Sequence, residues 1–235
     1  MMSETRVHHL YILHSRKYRE TSVLCDVFSM EEGRYSLVFR GARSNKSKHL
    51  GLLQPFSPIL VSVYGKGELR TGGSVDVEGR SRRLPGENLL IGMYVNELLY
   101  RVLGSFEEMP GLFSRYESLL TELEHQDFQT IQLRKFELSL LAALGYGVTF
   151  DVDSSTGQVV KEDDFYQFVV EQGFSSVPEG LSSEHTFIGQ QLLEIARGEY
   201  TNAGEKILKQ IVRKSLQPLL GAKPLKSRSL FMGRG

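Results

Sequence analysis

The sequence of 235 residues contains one cysteine, Cys25, so it can form neither an internal disulfide nor a zinc site of several cysteines. No apolar run approaches the roughly 20 residues that a membrane-spanning helix requires. The first residues also lack the charged-then-apolar pattern of a signal peptide. From these absences we expect a soluble protein of a reducing compartment, without a membrane partner.

Common catalytic and cofactor motifs are absent as well. The sequence has no phosphate-binding loop ending in Gly-Lys-Ser or Gly-Lys-Thr, no Gly-x-Ser-x-Gly and no His-Glu-x-x-His. Gly65 and Gly67 have the spacing that opens a dinucleotide motif, but no helix is predicted after them, and a hairpin turn explains them better. We therefore expect a protein that is not an enzyme and holds no cofactor. A hydrolase with an unrecognised site is the weaker alternative.

Candidate metal ligands are scattered along the chain. At the rise of a β-strand, His8 and His14 lie about 20 Å apart, which is too far for one ion. Four aspartates between residues 151 and 164 offer oxygen ligands, but they lack the twelve-residue calcium-loop pattern. A solvated acidic loop is the simpler interpretation, so no metal site is expected. Cys25 lies in the middle of a largely apolar predicted strand and is expected to be buried.

The net charge of zero conceals a strong segregation of charge along the chain. Residues 1–83 hold 14 basic and 8 acidic residues, and residues 84–205 hold 6 and 20. Residues 206–235 hold 8 basic residues and no acid. Basic N-terminal and C-terminal segments on either side of an acidic central segment favour two kinds of partner surface, because local electrostatic fields steer association. Mutual neutralisation within the fold is the alternative.

Residues 6–80 have the two-residue periodicity and the turn signals of short β-strands. In the third strand, Tyr35, Leu37 and Phe39 alternate with Arg34, Ser36, Val38 and Arg40. Five strands of this length suit a small closed or partly open barrel. The predicted strands are Val7–His14, Val23–Phe28, Arg34–Arg40, Ile59–Tyr64 and Glu68–Glu78.

The periodicity becomes helical near residue 86, which predicts an α+β protein whose second part is mainly helical. The third helix is expected to be capped by Asp127 and to end at Gly145. Residues 150–182 interrupt the helical pattern, with a short strand at 165–170 and a loop at 173–178. The predicted helices start near residue 86, at Pro110 and near Asp127, and span Phe187–Arg197 and Glu205–Leu220.

Basic residues are concentrated in the barrel and its loops, interleaved with Tyr18, Tyr35, Phe39 and Tyr64. Basic groups neutralise phosphates, and exposed aromatic rings stack on bases without reading them. This combination predicts sequence-independent binding of single-stranded DNA. The alternative is that the aromatic rings are core and the basic groups form a solvated face. The predicted DNA-binding residues are Arg16, Arg19, Arg34, Arg40, Arg43, Lys46, Lys48, Lys66 and Arg70.

Several motifs, in order and at matching spacing along nearly the whole chain, resemble those of the RecO family of bacterial recombination mediators. The motifs are Ser15–Ser22, Gly33-Arg34, Arg40–Arg43, Leu53–Pro58, Tyr94–Leu99, Leu133–Leu141, Leu144–Gly147 and Lys223–Arg228. The resemblance implies an oligonucleotide-binding (OB-fold) barrel at residues 1–83 and a helical domain at 84–235. Many RecO-like proteins have a cysteine-rich zinc module after the Leu144–Gly147 motif. Here the insert at about 148–182 has no cysteine, so zinc is not expected.

The resemblance also implies a function without catalytic turnover. RecO-like proteins bind single- and double-stranded DNA, anneal complementary strands, and act with RecR to help RecA replace single-strand-binding protein. A cytoplasmic, nucleoid-associated bacterial protein is the corresponding expectation. The alternative is a protein–protein adaptor of a repair complex with only weak DNA binding, which the acidic middle of the chain favours.

The last expectation concerns the acidic, phenylalanine-ended tail of single-strand-binding protein, which RecO-like proteins engage. Its receptor needs an apolar pocket with an arginine that can grip a carboxylate. Arg134, on a strongly apolar helix, is the candidate for that arginine, and Leu138 and Leu141 follow on the same side as candidate pocket walls. The alternative is that Arg134 merely pairs with an acid such as Glu137.

Overall fold

The computed structural model describes residues 6–44, 47, 51–178 and 186–227. The described residues form two compact units, one within 1–128 and 222–235 and the other within 129–221. The first unit contains a closed five-stranded barrel, and helices dominate the chain after it, which confirms the predicted α+β fold class. The predicted domain boundary near residue 83 stays a prediction.

The barrel follows the strand order β1-β2-β3-β5-β4 and closes through the pairing of β4 with β1. Every pair of neighbours is antiparallel except β3 and β5, which are parallel. Four of the predicted strands match to within two residues at each end, and β1 extends four residues beyond its predicted end. The strands are β1 (Arg6–Tyr18), β2 (Ser22–Ser29), β3 (Gly33–Phe39), β4 (Ile59–Tyr64) and β5 (Leu69–Val77).

Alternation along the β-strands places an apolar core inside the barrel. Tyr35, Leu37 and Phe39 of β3 are at most 1% exposed and contact inward residues of the other β-strands. Cys25 of β2 is fully buried in the same core, as predicted. Burial raises the pKa of its thiol to about 12, so the thiol stays protonated and unreactive at neutral pH.

Two helices of the first unit follow the barrel: α1 (Gly86–Val102) and α2 (Pro110–Glu122). The pairing of β1 with β2 shifts register between Ile12 and His14. The Asn96 side chain of α1 donates to the Ile12 and Leu13 carbonyls, each at 3.3 Å, at this bulge. The Tyr116 hydroxyl of α2 donates to Asn96 Oδ1 at 2.6 Å. The bulge therefore joins the barrel to both helices.

The second unit combines three helices with a small antiparallel sheet of order β7-β6-β8. Aromatic rings from the sheet, including Phe168, Phe174 and Phe187, pack with Leu208 and Ile211 of the helix Asn202–Leu220. No helix in the described chain is both long and apolar enough to cross a membrane. The elements of this unit are α3 (Thr130–Ala143), β6 (Phe165–Val169), β7 (Gly173–Val177), β8 (Thr186–Ile188), α4 (Gly189–Ala196) and α5 (Asn202–Leu220).

Three local predictions in this part of the chain were wrong. The expected loop at 173–178 is β7, because Phe174 pairs with Phe168 of β6 and enters the core. The helix expected at Phe187 begins at Gly189, since residues 186–188 pair with β6 instead. The N-cap residue of α3 is Gln129 rather than Asp127, and the helix begins at Thr130. In the first two cases, pairing across the sheet overrides a short and ambiguous local pattern.

Candidate nucleic-acid interface

Basic residues from three segments meet at one end of the barrel. The Arg43 backbone amide donates to the Thr21 carbonyl at 2.8 Å, and its guanidinium donates to the Glu20 carbonyl at 3.1 Å. These bonds join the segment after β3 to the turn between β1 and β2. We define the basic rim as four residues that lie at the end of β1, in this turn and after β3: Lys17, Arg19, Arg40 and Arg43.

The basic rim is open to solvent. Lys17, Arg19 and Arg40 are exposed, and Arg43 is half-buried. The Arg19 guanidinium lies 5.3 Å from the centroid of the Tyr18 ring. Glu20 is the one acidic residue of the turn between β1 and β2, so the rim with its turn has an excess of positive charge. Such a surface attracts phosphates without discriminating between bases.

Arg16 lies next to the basic rim but is partly neutralised. Its guanidinium is 3.3 Å from a carboxylate oxygen of Asp26, whose side chain is 3% exposed. Asp26 also accepts a hydrogen bond from the Ser36 hydroxyl at 2.6 Å. No sequence motif marks this buried acid. Arg16 remains about half exposed and can therefore still contact a phosphate. It would then share its positive charge between that phosphate and Asp26.

The predicted residues Arg34, Lys66 and Arg70 belong to the opposite end of β3. The parallel register pairs Ser36 with Leu69, so the hairpin around Lys66 lies beside the start of β3. Six residues of β3 separate the two ends, about 20 Å at the rise of a β-strand. The structure therefore does not gather all the predicted basic residues into one site.

At this second end, Arg34 and Arg70 already have internal partners. Arg34 Nε donates to the Leu103 carbonyl at 2.8 Å, and its guanidinium donates to the Ser105 hydroxyl at 2.9 Å. Arg70 pairs with Glu32 and lies 4.6 Å from the Phe106 ring centroid, with its side chain 15% exposed. Both side chains fasten the barrel to the segment after α1. Their predicted contacts with DNA would compete with those bonds.

The aromatic residues only partly fit the predicted stacking surface. Tyr35 and Phe39 face the barrel core and are at most 1% exposed, so stacking by these two rings is excluded in this fold. Tyr64 is 38% exposed and lies across Gly73. Tyr18 is half-buried beside the basic rim. For Tyr35 and Phe39, the alternative that the aromatic rings are core is correct.

Lys46 and Lys48 lie outside the described residues. The part of their loop that is described contains Arg43, which is bonded to the turn between β1 and β2. Their predicted role in DNA binding therefore stays a prediction from the sequence.

A buried polar cluster closes the end of the barrel opposite the basic rim. His8 is 2% exposed, and its Nδ1 lies 2.7 Å from the Tyr35 hydroxyl. The Ser29 hydroxyl donates to Glu31 at 2.6 Å. Burial lowers the pKa of His8 more than the nearby carboxylates of Glu31 and Glu32 raise it, so the ring stays neutral. The cluster stabilises the barrel rather than offering a cation to DNA.

The predicted pocket for an acidic tail is not open around α3. Arg134 pairs with Glu137, which has no exposed surface, and the Arg134 side chain is 15% exposed. Leu141 is fully buried and cannot line an open pocket, whereas Leu138 is partly buried against the core of the second unit. The pairing of Arg134 with Glu137 is the alternative that the sequence left open.

Among the described residues, no three His, Cys, Asp or Glu side chains are grouped to hold a metal ion. Asp153, one of the aspartates between 151 and 164, is 5% exposed and accepts hydrogen bonds from the Ser155 amide and hydroxyl. Burial alone would raise the pKa of Asp153, but hydrogen bonds from Ser155 and Ser176 bring it to about 2. This carboxylate organises a turn rather than facing a ligand.

Comparison with known proteins adds to this geometry. Family models described as the N-terminal and C-terminal parts of recombination protein O match residues 2–78 and 83–229. The chain belongs to the RecO family. The junction between the two RecO matches falls between the barrel and α1. The family supports a role in DNA repair and recombination and agrees with the resemblance read from the motifs.

Full-length RecO relatives give the same result. A protein named DNA repair protein RecO from Psychromonas ingrahamii is 38% identical over 229 residues, covering 97% of this chain and 98% of the relative. RecO of Vibrio atlanticus is 41% identical over 223 residues, covering 94% and 91%. RecO of Aliivibrio fischeri is 40% identical over 229 residues, covering 95% and 94%.

Proposed function

We propose that this protein is a DNA repair and recombination mediator that binds single- and double-stranded DNA through phosphate contacts at the basic rim. The observation that carries the proposal is the bonding of Arg43 to the turn between β1 and β2, which assembles the rim from separate segments. Arg16 contributes a shared charge, and Arg34 and Arg70 have mainly structural contacts. No catalytic turnover is part of the proposal.

Strand annealing requires no covalent chemistry. Two DNA strands repel each other as polyanions, and a basic protein surface lowers that repulsion while it keeps the bases accessible. Base pairing then supplies the specificity. With most barrel aromatic rings buried, phosphate contacts rather than base stacking supply the affinity, so binding is expected to be strongly salt-dependent.

The partners and location in this proposal follow the family. We propose that the protein acts with RecR, engages the tail of single-strand-binding protein, and helps RecA load on coated DNA in the bacterial cytoplasm at the nucleoid. The adaptor alternative, with weak direct DNA binding, predicts partner binding without rim-dependent DNA affinity.

Engagement of the tail by Arg134 would require its guanidinium to leave Glu137. Arg134→Ala is an ambiguous test, because it also leaves the buried Glu137 carboxylate without this cation. Arg134→Lys retains the charge but not the bidentate geometry. If Arg134 grips the tail, Arg134→Lys should weaken tail-peptide binding by about tenfold and leave DNA affinity unchanged. Wild-type peptide affinity in this variant would place the pocket elsewhere.

The rim is tested by the double variant Lys17→Glu/Arg40→Glu, whose two side chains are exposed and are not bonded to the described residues. Arg83→Glu/Arg115→Glu is the matched control, since it makes the same charge change at two exposed positions of the same unit. The measurements are fluorescence anisotropy with several unrelated single-stranded oligonucleotides and the rate of annealing of a complementary pair.

The rim variant should lose at least about tenfold in affinity for every oligonucleotide alike and should anneal correspondingly slowly. The control should remain within about twofold of wild type. If both variants lose affinity equally, net charge rather than the rim governs binding. If neither changes while the tail peptide still binds, the adaptor alternative is correct.

A further inference from the structure

Helix α5 presents a row of cations that the proposed function does not use. Lys206, Lys209 and Arg213 follow one another at i, i+3 and i+7, so they lie on one side of the helix over a rise of about 10 Å. All three are exposed, whereas Ile207 and Ile211 on the other side enter the core of the second unit. We call these three cations the α5 row.

The α5 row is not neutralised by the described part of the chain. No ion pair or side-chain hydrogen bond joins its three residues to any described residue. The nearest acid in sequence, Glu205, accepts a hydrogen bond from Thr130 instead. A solvated helix face commonly carries charges of both signs, but residues 206–235 contain no aspartate or glutamate.

The surrounding unit makes the row more distinctive. Residues 129–221 contain 8 basic and 12 acidic residues, a net charge of −4. Half of the basic residues of this unit belong to α5 between Lys206 and Lys214. A local positive surface on an acidic unit attracts a polyanion to one place, because the rest of the unit repels it.

The chemistry of the row fits a phosphodiester backbone better than an acidic peptide that ends in an aromatic residue. Such a peptide requires an apolar pocket for its ring, and α5 exposes no large apolar side chain. A nucleic-acid backbone requires only cations and polar donors at intervals along a line. Gln217, which is exposed one turn beyond Arg213, adds a polar donor on the same side.

We propose that the α5 row binds the phosphate backbone of a second nucleic-acid strand. This inference rests on the proposed function, in which the basic rim holds the first strand. The rim and the row are carried by different compact units of the chain. Two such surfaces on one chain allow one strand to be held while another is captured.

The test uses the full-length double variant Lys206→Glu/Arg213→Glu. Its matched control is Lys161→Glu/Arg197→Glu, which makes the same charge change in the same unit at two side chains that are 72% and 53% exposed. The protein is first saturated with an unlabelled oligonucleotide. A labelled strand that is not complementary to it is then added, so that capture cannot arise from base pairing, and its binding is followed by anisotropy.

The α5 variant should bind the first strand within about twofold of wild type and capture the second at least about tenfold more weakly. The control should capture both strands normally. Capture by the α5 variant equal to that of the control would overturn the inference, whether or not the rim binds DNA. Loss of first-strand binding in the rim variant alone supports the proposed function independently.

Two further measurements keep the result specific. Lys206→Arg/Lys209→Arg retains the charge and should retain capture of the second strand. If the two lysines instead had a structural role that only lysine can fill, this variant would lose capture. A labelled acidic peptide ending in phenylalanine should bind the α5 variant as it binds wild type. Loss of peptide binding with intact strand capture would overturn the inference in favour of a protein partner.

Discussion

The Glu97 carboxylate of α1 accepts a hydrogen bond from the Ser227 backbone amide at 2.8 Å, across 130 positions of sequence. Its other oxygen accepts from the Lys226 amide, also at 2.8 Å. Arg101, one turn further along α1, donates to the Pro224 carbonyl at 3.2 Å. α1 thereby fixes the segment 224–227 to the unit that contains the barrel.

The first prediction concerns this attachment. Burial raises the pKa of Glu97, but the hydrogen bonds from Ser227 and Lys226 lower it by more, so the pKa lies below 4.5. The attachment is therefore complete above pH 4.5 and is lost as the pH falls through the lowered pKa. Glu97→Gln should increase amide hydrogen exchange at Ser227 and Lys226 by about tenfold at neutral pH, and Glu87→Gln on the same helix should not. Unchanged exchange would contradict it.

The second prediction concerns the bulge of β1. Tyr116→Phe removes the donor to buried Asn96 and should cost about 1–3 kcal/mol, because a buried acceptor loses its partner. Asn96→Ala should cost more, since the Ile12 and Leu13 carbonyls also lose their donor. In urea denaturation, the double variant should be destabilised by less than the sum of the two. Strict additivity would show that the pair is not coupled.

The third prediction compares two glycines with the same backbone conformation. Gly33 and Gly41 both have φ of +67°, but a Cβ at Gly33 would overlap the Glu107 carbonyl, whereas one at Gly41 would meet open space. Gly41→Ala should cost about 1–2 kcal/mol for the left-handed conformation alone. Gly33→Ala should cost about 1–3 kcal/mol more, because the clash is with backbone. If denaturant titrations show that the two variants lose the same free energy of unfolding, the overlap at Gly33 is excluded.

The fourth prediction concerns the buried His8. The pKa of His8 in the folded protein lies below 6.5, the value for an unfolded chain. The contribution of neutral His8 to the free energy of unfolding is therefore complete above pH 6.5. It is lost as the pH falls below 6.5, because the unfolded chain takes up a proton more readily than the folded protein. The free energy of unfolding should therefore fall more steeply between pH 7 and pH 5 for wild type than for His8→Gln. Parallel curves for wild type and His8→Gln would refute this role.

The barrel was predictable because each strand has a local signature. Tyr35, Leu37 and Phe39 form one buried face of β3 and alternate with a mixed set that includes Arg34 and Ser36. One buried face is enough to specify a β-strand. β7 was missed because Ser175 and Ser176 carry no apolar alternation, and only pairing with β6 defines it. The sequence thus predicts elements with their own pattern and misses those that depend on a partner.

The candidate site follows the same rule. The density of basic residues in the barrel is a local property, and the sequence alone reveals it. That Arg70 pairs with Glu32, 38 positions away, and that Arg34 bonds to Leu103, 69 positions away, are properties of the folded chain. The sequence does not reveal which basic groups are already engaged, and the separation of the rim from Arg34, Lys66 and Arg70 depends on the barrel register.

The most direct test of phosphate binding at the basic rim is the salt dependence of single-stranded DNA affinity. The slope of log affinity against log salt falls by about 0.7 for each phosphate that the protein no longer neutralises. Lys17→Glu/Arg40→Glu removes two such cations and should therefore reduce the slope by about 1.4, while Arg83→Glu/Arg115→Glu leaves it unchanged. A rim variant with the wild-type slope and affinity would contradict phosphate binding at this end of the barrel.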